Sequence, residues 1–259
     1  MRTKGIPKSQ RTKKFLFRIP ITLLFSILLI LVVYYGVFQD YHPRTLSPYE
    51  TTLADFKLVS GNRMIQSGRI VVLFVGAEAC PYCAAESWSI VASLGQYGIW
   101  KGLSPIISNK TDSIPSVPGY SFVNATLNSS KVLFEEVELT TTSWNQKLQS
   151  LNSTQHTLFY KCDPSGSIPY LLIGGIYIHL GSAVNPELIS GMSLNLTYNL
   201  SKSQGAFRDQ IISEERNISE VIDYVTNPPP SSNGLETPKY IAPANIMFSD
   251  LALIYRKGV

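Results

Sequence analysis

Two hydrophobic patterns of different period meet at residue 80. Arg69-Ile-Val-Val-Leu-Phe-Val75 is a short unbroken apolar run rich in β-branched residues, which reads as a buried strand. Ala84-Ala-Glu-Ser-Trp-Ser-Ile-Val-Ala-Ser-Leu94 repeats its apolar residues at helical spacing. Trp88, Val91 and Gly95 share one face, with Ile90 and Leu94 beside it, so this helix is expected to be largely buried. A strand running straight into a buried helix restricts the chain to an α/β architecture. At the junction stands Cys80-Pro81-Tyr82-Cys83. There the first cysteine falls at a helix N-terminus, where unpaired backbone N–H groups and the macrodipole favour a thiolate. Pro81 suits the first helical turn, because its missing N–H would have had no partner. Two intervening residues let both sulfurs meet in a small ring, the requirement of a dithiol–disulfide centre.

The net charge of +4 is unevenly placed. Residues 1–18 hold seven of the 22 basic side chains and no acid, leaving 15 basic against 18 acidic beyond them. The basic excess is therefore a short tail rather than a folded face, and a nucleic-acid partner is not indicated. Residues 19–38 carry no charge and one early proline. As a helix they span about 30 Å, the thickness of a bilayer core. Tyr34, Tyr35 and Phe38 sit at the far end, where aromatic rings favour the interface. The expectation is a single-pass anchor in the cell membrane, with the basic tail cytoplasmic and residues 40–259 extracellular. A cleaved signal peptide competes with it, but the apolar run is long for one and no small-x-small site follows. Sequons at Asn109, Asn124, Asn128, Asn152, Asn195, Asn199 and Asn217 all lie beyond the anchor, as an outward-facing glycoprotein requires. Three cysteines are too few for a disulfide scaffold, which leaves redox chemistry as the better use of the close pair.

Further along, residues 39–68 read as a juxtamembrane segment with a short helix near 51–57. Residues 103–108 are a weak strand. The stretch 109–130 is rich in Ser, Asn and Pro and reads as a solvated surface insertion. A strand is expected over 132–139, and Trp144, Leu148 and Leu151 suggest a short amphipathic helix. Ile168-Pro-Tyr-Leu-Leu-Ile-Gly-Gly-Ile-Tyr-Ile-His-Leu180 reads as a hairpin with Gly174-Gly175 as a two-residue turn. A last helix over 205–226 presents Phe207, Ile211, Ile218, Val221, Ile222 and Val225, and Pro228-Pro-Pro230 ends it. Residues 227–259 form a Pro-rich extension with one apolar stretch at 246–255.

The order strand, CxxC, helix, strand, helix, X-Pro, hairpin, helix over 69–226 resembles the thioredoxin fold, a three-layer α/β domain here carrying insertions and preceded by a transmembrane helix. Cys80-Pro81-Tyr82-Cys83 is the dipeptide pattern of glutaredoxins. The whole chain resembles an archaeal, Sulfolobus-type family of membrane-anchored proteins of unknown function. That family's recurrent Gly-Ala-Glu-x-Cys-Pro-Tyr-Cys-Ala-Ala-Glu stretch is matched by residues 76–86. The thioredoxin resemblance implies that Pro169 is a cis-proline beside the cysteines, and that the backbone of Ile168 pairs with an extended substrate segment. It also implies a Cys80–Cys83 disulfide in the oxidised form. The pattern is incomplete. Phe74 stands where thioredoxins carry a buried acid, Ala79 where they carry Trp, and Ala84 where they carry Lys. Glu86, one turn beyond Cys83, is the candidate substitute proton acceptor, although its i+3 position reads as a solvated helix residue.

The reaction this implies is thiol–disulfide exchange with protein thiols or disulfides outside the membrane. Cys80 is the nucleophile, with a mildly depressed pKa, and Cys83 resolves the mixed disulfide. No cofactor is indicated, and a membrane electron donor or acceptor is a candidate partner. Cys162, six residues before Ile168, either approaches the pair or is a spectator thiol. A zinc site from Cys80, Cys83, Cys162 and His156 or His179 lacks the second close-spaced pair of a structural site. The remaining alternative is non-enzymatic: a glycosylated binding module stapled by Cys80–Cys83.

Overall fold

The computed structural model describes residues 52–59 and 63–227. The basic tail, the apolar segment 19–38 and the extension from 228 onward lie outside the described residues. Among the described residues no helix is long and apolar enough to cross a membrane.

In chain order the first half holds β1 (Thr52–Leu53), β2 (Phe56–Leu58), β3 (Ile65–Gln66), β4 (Arg69–Gly76) and α1 (Pro81–Gly95). Then come β5 (Gly98–Lys101), β6 (Ser104–Ile107), β7 (Pro118–Ser121), β8 (Thr126–Ser129) and β9 (Val132–Glu138). The second half holds α2 (Ser153–Cys162), β10 (Tyr170–Ile173), β11 (Tyr177–Leu180), α3 (Leu194–Lys202) and α4 (Ala206–Thr226).

The chain is a mixed α/β structure around a mixed sheet of seven strands. β4 is an inner strand that pairs with three others: β9 is parallel to it, while β10 and the short β3 are antiparallel. β11, β2 and β1 continue outward from β10, each antiparallel to the last. β4 can occupy that inner place because its side chains are apolar on both faces. Ile70, Val72 and Phe74 join Trp88, Ile90 and Leu94 of α1 and Ile211, Ile218 and Val221 of α4. Leu73 and Val75 turn the other way, to Phe159 of α2, Tyr170 and Leu172. The period of two along the strand thus divides the core between α1 and α4 on one face and α2 on the other.

Several local expectations are corrected. Of the helix expected near 51–57, residues 52–57 form strands instead: Ala54 and Asp55 take positive φ of 47° and 67°, forming a tight turn between β1 and β2. The helix expected at 144–151 is absent, and Thr140 instead bridges Lys147. The helix begins at Ser153, where Asn152 and Gln155 form a reciprocal capping box that satisfies two otherwise unpaired N–H groups. The turn of the β10–β11 hairpin has three residues, since Ile173 pairs with Tyr177. Both its glycines have positive φ, and a Cβ on Gly174 would lie 2.5 Å from Val225 Cγ1 of α4. The turn therefore fits against the last helix only as glycine.

The stretch 109–130 is not simply a surface insertion. β6 pairs with β7, and β5 with β8, as two small ribbons. Gly119 lies so close to α1 that a Cβ there would meet the Ala84 carbonyl oxygen at 2.3 Å. Trp88 Nε1 donates to the Pro118 carbonyl at 2.9 Å, and Ser87 Oγ accepts from the Tyr120 N–H at 2.8 Å. Val117, Tyr120, Phe122 and Leu127 are all buried. Phe122 packs against Phe74 and Phe134 with ring centroids 5.1 Å away, and against Trp100 at 5.7 Å. Phe122→Ala is expected to cost about 3–5 kcal/mol, the usual range for truncating a fully buried phenylalanine. Urea unfolding of the full chain checks this, and a change under about 1 kcal/mol would mean the ribbons are not part of the core.

Candidate active site

The cysteine pair stands where β4 ends and α1 begins. Cys80 is the N-cap residue of α1, in extended conformation (φ −75°, ψ 121°), and Pro81 opens the helix. The capping role that Ser or Asp usually fills is taken by sulfur: Cys80 Sγ accepts the Cys83 N–H at 3.2 Å. A thiolate at that place meets the helix N-terminus directly. The Cys83 thiol also donates to Cys80, and this bond is the main reason the Cys80 pKa lies below its ordinary value. Burial opposes it, and the negative charge of Asp112 adds to that opposition. Cys83 behaves in the opposite way. Burial first, then the neighbouring Cys80 and Glu138, push its thiol well above the ordinary value. The structure holds both as free thiols, so it represents the reduced pair.

Two segments are hydrogen-bonded to this turn, and a third ends level with its start. Thr140 accepts the Glu78 N–H at 3.0 Å, and Ala79 accepts the Asn109 N–H at 3.0 Å. The Ile168–Pro169 bond is cis. Tyr170 pairs with Val75, so continuing that register sets Pro169 level with Gly76 at the end of β4 where the cysteine turn starts. Tyr82, between the cysteines, is 45 % exposed, and Trp144 is 44 % exposed. Trp144 Nε1 donates to Asp112 at 3.0 Å. Beside it an open cleft of about 450 Å³ is lined by Leu139, Thr140, Trp144, Lys147, Leu151 and His156. Because Thr140 also holds the Glu78 backbone, this cleft borders the cysteine turn.

Glu86 is not the solvated residue its spacing suggested; it is 1 % exposed. Oε1 accepts Ser89 Oγ at 2.8 Å, while Oε2 accepts Ser182 Oγ and the Ala183 N–H, both at 2.9 Å. Its oxygens are thus committed to Ser89 and the segment after β11 rather than to Cys83, which removes it as the pair's proton acceptor. Burial pushes its pKa up to about 7 against those hydrogen bonds. The acid whose charge acts on the pair from the neighbouring strand is Glu138, at the end of β9. It is level with Gly76 in the parallel ladder, and a Cβ on Gly76 would lie 3.4 Å from Cys83 Sγ. Sequence reasoning looked for an acid in β4 and α1, and Glu138 comes from the neighbouring strand. The one available signal was the run of three glutamates, Glu135, Glu136 and Glu138, in the second half of a strand that begins Val132-Leu-Phe134.

Cys162 ends α2 and packs with the group on the other face of the sheet, so it does not approach the pair. Among the described residues no group of three His, Cys, Asp or Glu side chains is placed to hold a metal ion, and the four donors weighed for zinc are not brought together. Cys162→Ser is accordingly expected to leave the thiol-exchange rate within twofold of wild type. A loss beyond tenfold, read by peptide-disulfide turnover, would contradict that placement. Of the sequons, Asn124, Asn128, Asn152, Asn195 and Asn199 are exposed. Asn109 Nδ2 is bonded to the Thr142 carbonyl and Asn217 Nδ2 to Glu214, each at 3.0 Å.

Residues 55–161 match the family model described as a domain of unknown function (DUF929). No curated protein and no solved structure matches the chain.

Proposed function

We propose that this chain is a thioredoxin-like, membrane-anchored thiol–disulfide oxidoreductase acting outside the cell on protein thiols or disulfides. The observation that carries the reading is the divergence of two adjacent thiols. Both are buried, but Cys80 is lowered at a helix N-terminus by a bond from Cys83, while burial raises Cys83. One sulfur is thereby prepared to attack and the other to wait. The sheet order supports the same reading: β9 parallel to β4, then β10 and β11 antiparallel, with α1 and α4 on one face and α2 on the other.

In the reducing direction the Cys80 thiolate attacks a client disulfide, forming a Cys80–client bond and releasing the first client sulfur as a thiolate. Cys83, on losing its proton, attacks Cys80 Sγ and expels the second client sulfur. The client gains two electrons and the pair loses two. Run backwards, the same steps oxidise a client dithiol. The extended client segment would lie along the Ile168 backbone, by strand addition next to Pro169. The cleft under Trp144 offers room for a client side chain. The overall direction depends on the external redox poise and on an electron donor or acceptor in the membrane.

The test is turnover of a fluorescent peptide disulfide by the full chain in detergent, with glutathione as the thiol source. Catalysis well above the glutathione background, titrated away by alkylating Cys80, is the expected result. Turnover equal to background overturns the reading.

A further inference from the structure

The carboxyl of Glu138 has no structural partner equal to its cost. It is 2 % exposed, in the angle between β9, the end of β4 and the start of α1. Its Oε1 accepts the Phe122 N–H at 3.4 Å, long for a bond to a carboxylate. Its Oε2 makes no hydrogen bond among the described residues. A buried carboxyl left in this way costs free energy unless it stays protonated or meets a proton donor.

The titratable groups facing it are acids and thiols. Glu136 comes from its own strand, Glu78 from the turn before α1, and Cys80 from the cap of α1. The segment 117–123 supplies the Phe122 N–H, and the segment after β9 supplies Gln149, which accepts the backbone N–H of Glu138. Burial first, and then the charges of Glu78, Glu136 and Cys80, push the Glu138 carboxyl up to about 8. The interaction is mutual, for Glu138 is among the groups that raise Cys83. A salt-bridge role does not fit these surroundings.

We propose that Glu138 is the proton carrier of the Cys80–Cys83 pair, exchanging a proton with Cys83 Sγ as that sulfur enters and leaves the disulfide. The inference rests on the exchange reading above and adds the group which that reading lacked. When the disulfide is opened by a client thiolate at Cys80, Cys83 leaves with the S–S bonding electrons and takes the Glu138 proton, becoming a thiol. When the disulfide closes, the Cys83 proton passes to the Glu138 carboxylate as Cys83 Sγ bonds Cys80 and the client thiolate departs. Each cycle returns the proton to where it began. The chain thus places its acid on the strand parallel to β4, since Phe74 fills the position within β4 with an aromatic ring.

The experiment is a single turnover of the reduced full chain with oxidised glutathione, quenched in acid at intervals and read by mass. Mixed-disulfide formation at Cys80 and ring closure by Cys83 then appear as two phases. Wild-type closure should rise with pH through a step near 8. In Glu138→Gln that step should vanish and closure slow by about 10–100-fold at pH 8, in the range of general acid–base assistance. Mixed-disulfide formation should change by less than threefold. Glu138→Asp, which keeps the carboxyl, should restore the pH step at a reduced rate. If wild type closes normally and Glu138→Gln closes equally fast with the same pH profile, the assignment is overturned while exchange stands. Equal defects in the Gln and Asp variants would mark a packing effect and overturn it as well. If wild type forms no mixed disulfide at all, the exchange reading itself has failed.

Discussion

Replacing Cys80 by serine is expected to bring exchange down to the uncatalysed background, and replacing Cys83 by alanine to leave a persistent mixed disulfide on Cys80. The two outcomes differ because the two sulfurs differ. Only Cys80 combines the helix N-terminus with a bond from the other thiol, so a hydroxyl in its place has no accessible anion to attack with. Cys83→Ala keeps the backbone N–H at Cys80 Sγ but removes the side-chain donor that most lowers its pKa. Cys80 in this variant should therefore titrate higher and alkylate more slowly at pH 7, while still capturing a client that nothing then releases. Iodoacetamide labelling against pH, with mass analysis of Cys80, checks the first point, and non-reducing electrophoresis the second. Unchanged labelling in Cys83→Ala would mean that the helix end alone sets the reactivity of Cys80.

The second large effect is on stability. Three buried carboxyls have no cationic partner among their described contacts: burial chiefly pushes Glu86 up to about 7, and Glu138 and Glu214 up to about 8. Glu214 is held by Asn217 Nδ2, and its Oε1 lies 3.9 Å from His179 Nδ1, outside hydrogen-bonding distance. In the unfolded chain each of these acids titrates at about 4.5. Between that value and the folded one the unfolded state has released its protons and the folded state has not. Folding then binds protons, so stability is full below about pH 4.5 and falls as pH rises toward about 8. Glu86 alone accounts for about 3 kcal/mol of this loss at about 1.4 kcal/mol per pKa unit. His179 acts in the other direction, since burial lowers its pKa, and it costs stability as pH falls below about 6.5. Urea unfolding at pH 5 and pH 8.5 should show the drop, and Glu86→Gln should recover about 3 kcal/mol of the difference. A pH-independent midpoint in wild type would show that these carboxyls are solvated or paired.

Much of the frame was legible where one pattern dominated. The apolar run of β4 tolerates no other buried element of its length, and the helical period through Trp88 and Leu94 is strong. α4 likewise follows its six apolar positions. What failed was local pattern without its tertiary neighbours. Val117, Tyr120, Phe122, Val123, Ala125 and Leu127 keep no single period, and only pairing of β5 with β8 and β6 with β7 gathers the buried ones over α1. Trp144, Leu148 and Leu151 are spaced for a helix, but the capping chemistry at Asn152 starts it later. Glu86 is buried because residues 182–183, nearly a hundred positions away, close over its face of α1. Glu138 was hidden for a related reason. Its relation to Cys83 is set by the parallel register of β4 and β9, which no local period encodes.

The claim that joins these results is that Cys80 and Cys83 cycle between dithiol and disulfide, and the most direct measurement is the reduction potential of the pair in the full chain. Equilibration in glutathione or dithiothreitol buffers, with thiols trapped and counted by mass, gives it. The account predicts a reversible two-electron transition between about −270 and −120 mV, the span of known exchange catalysts. Its upper part, above about −220 mV, would mark an oxidant or isomerase of client proteins, and its lower end a reductant supplied through the membrane. A pair still oxidised below about −300 mV would be a structural staple, and the chain would then be a binding module rather than a redox enzyme.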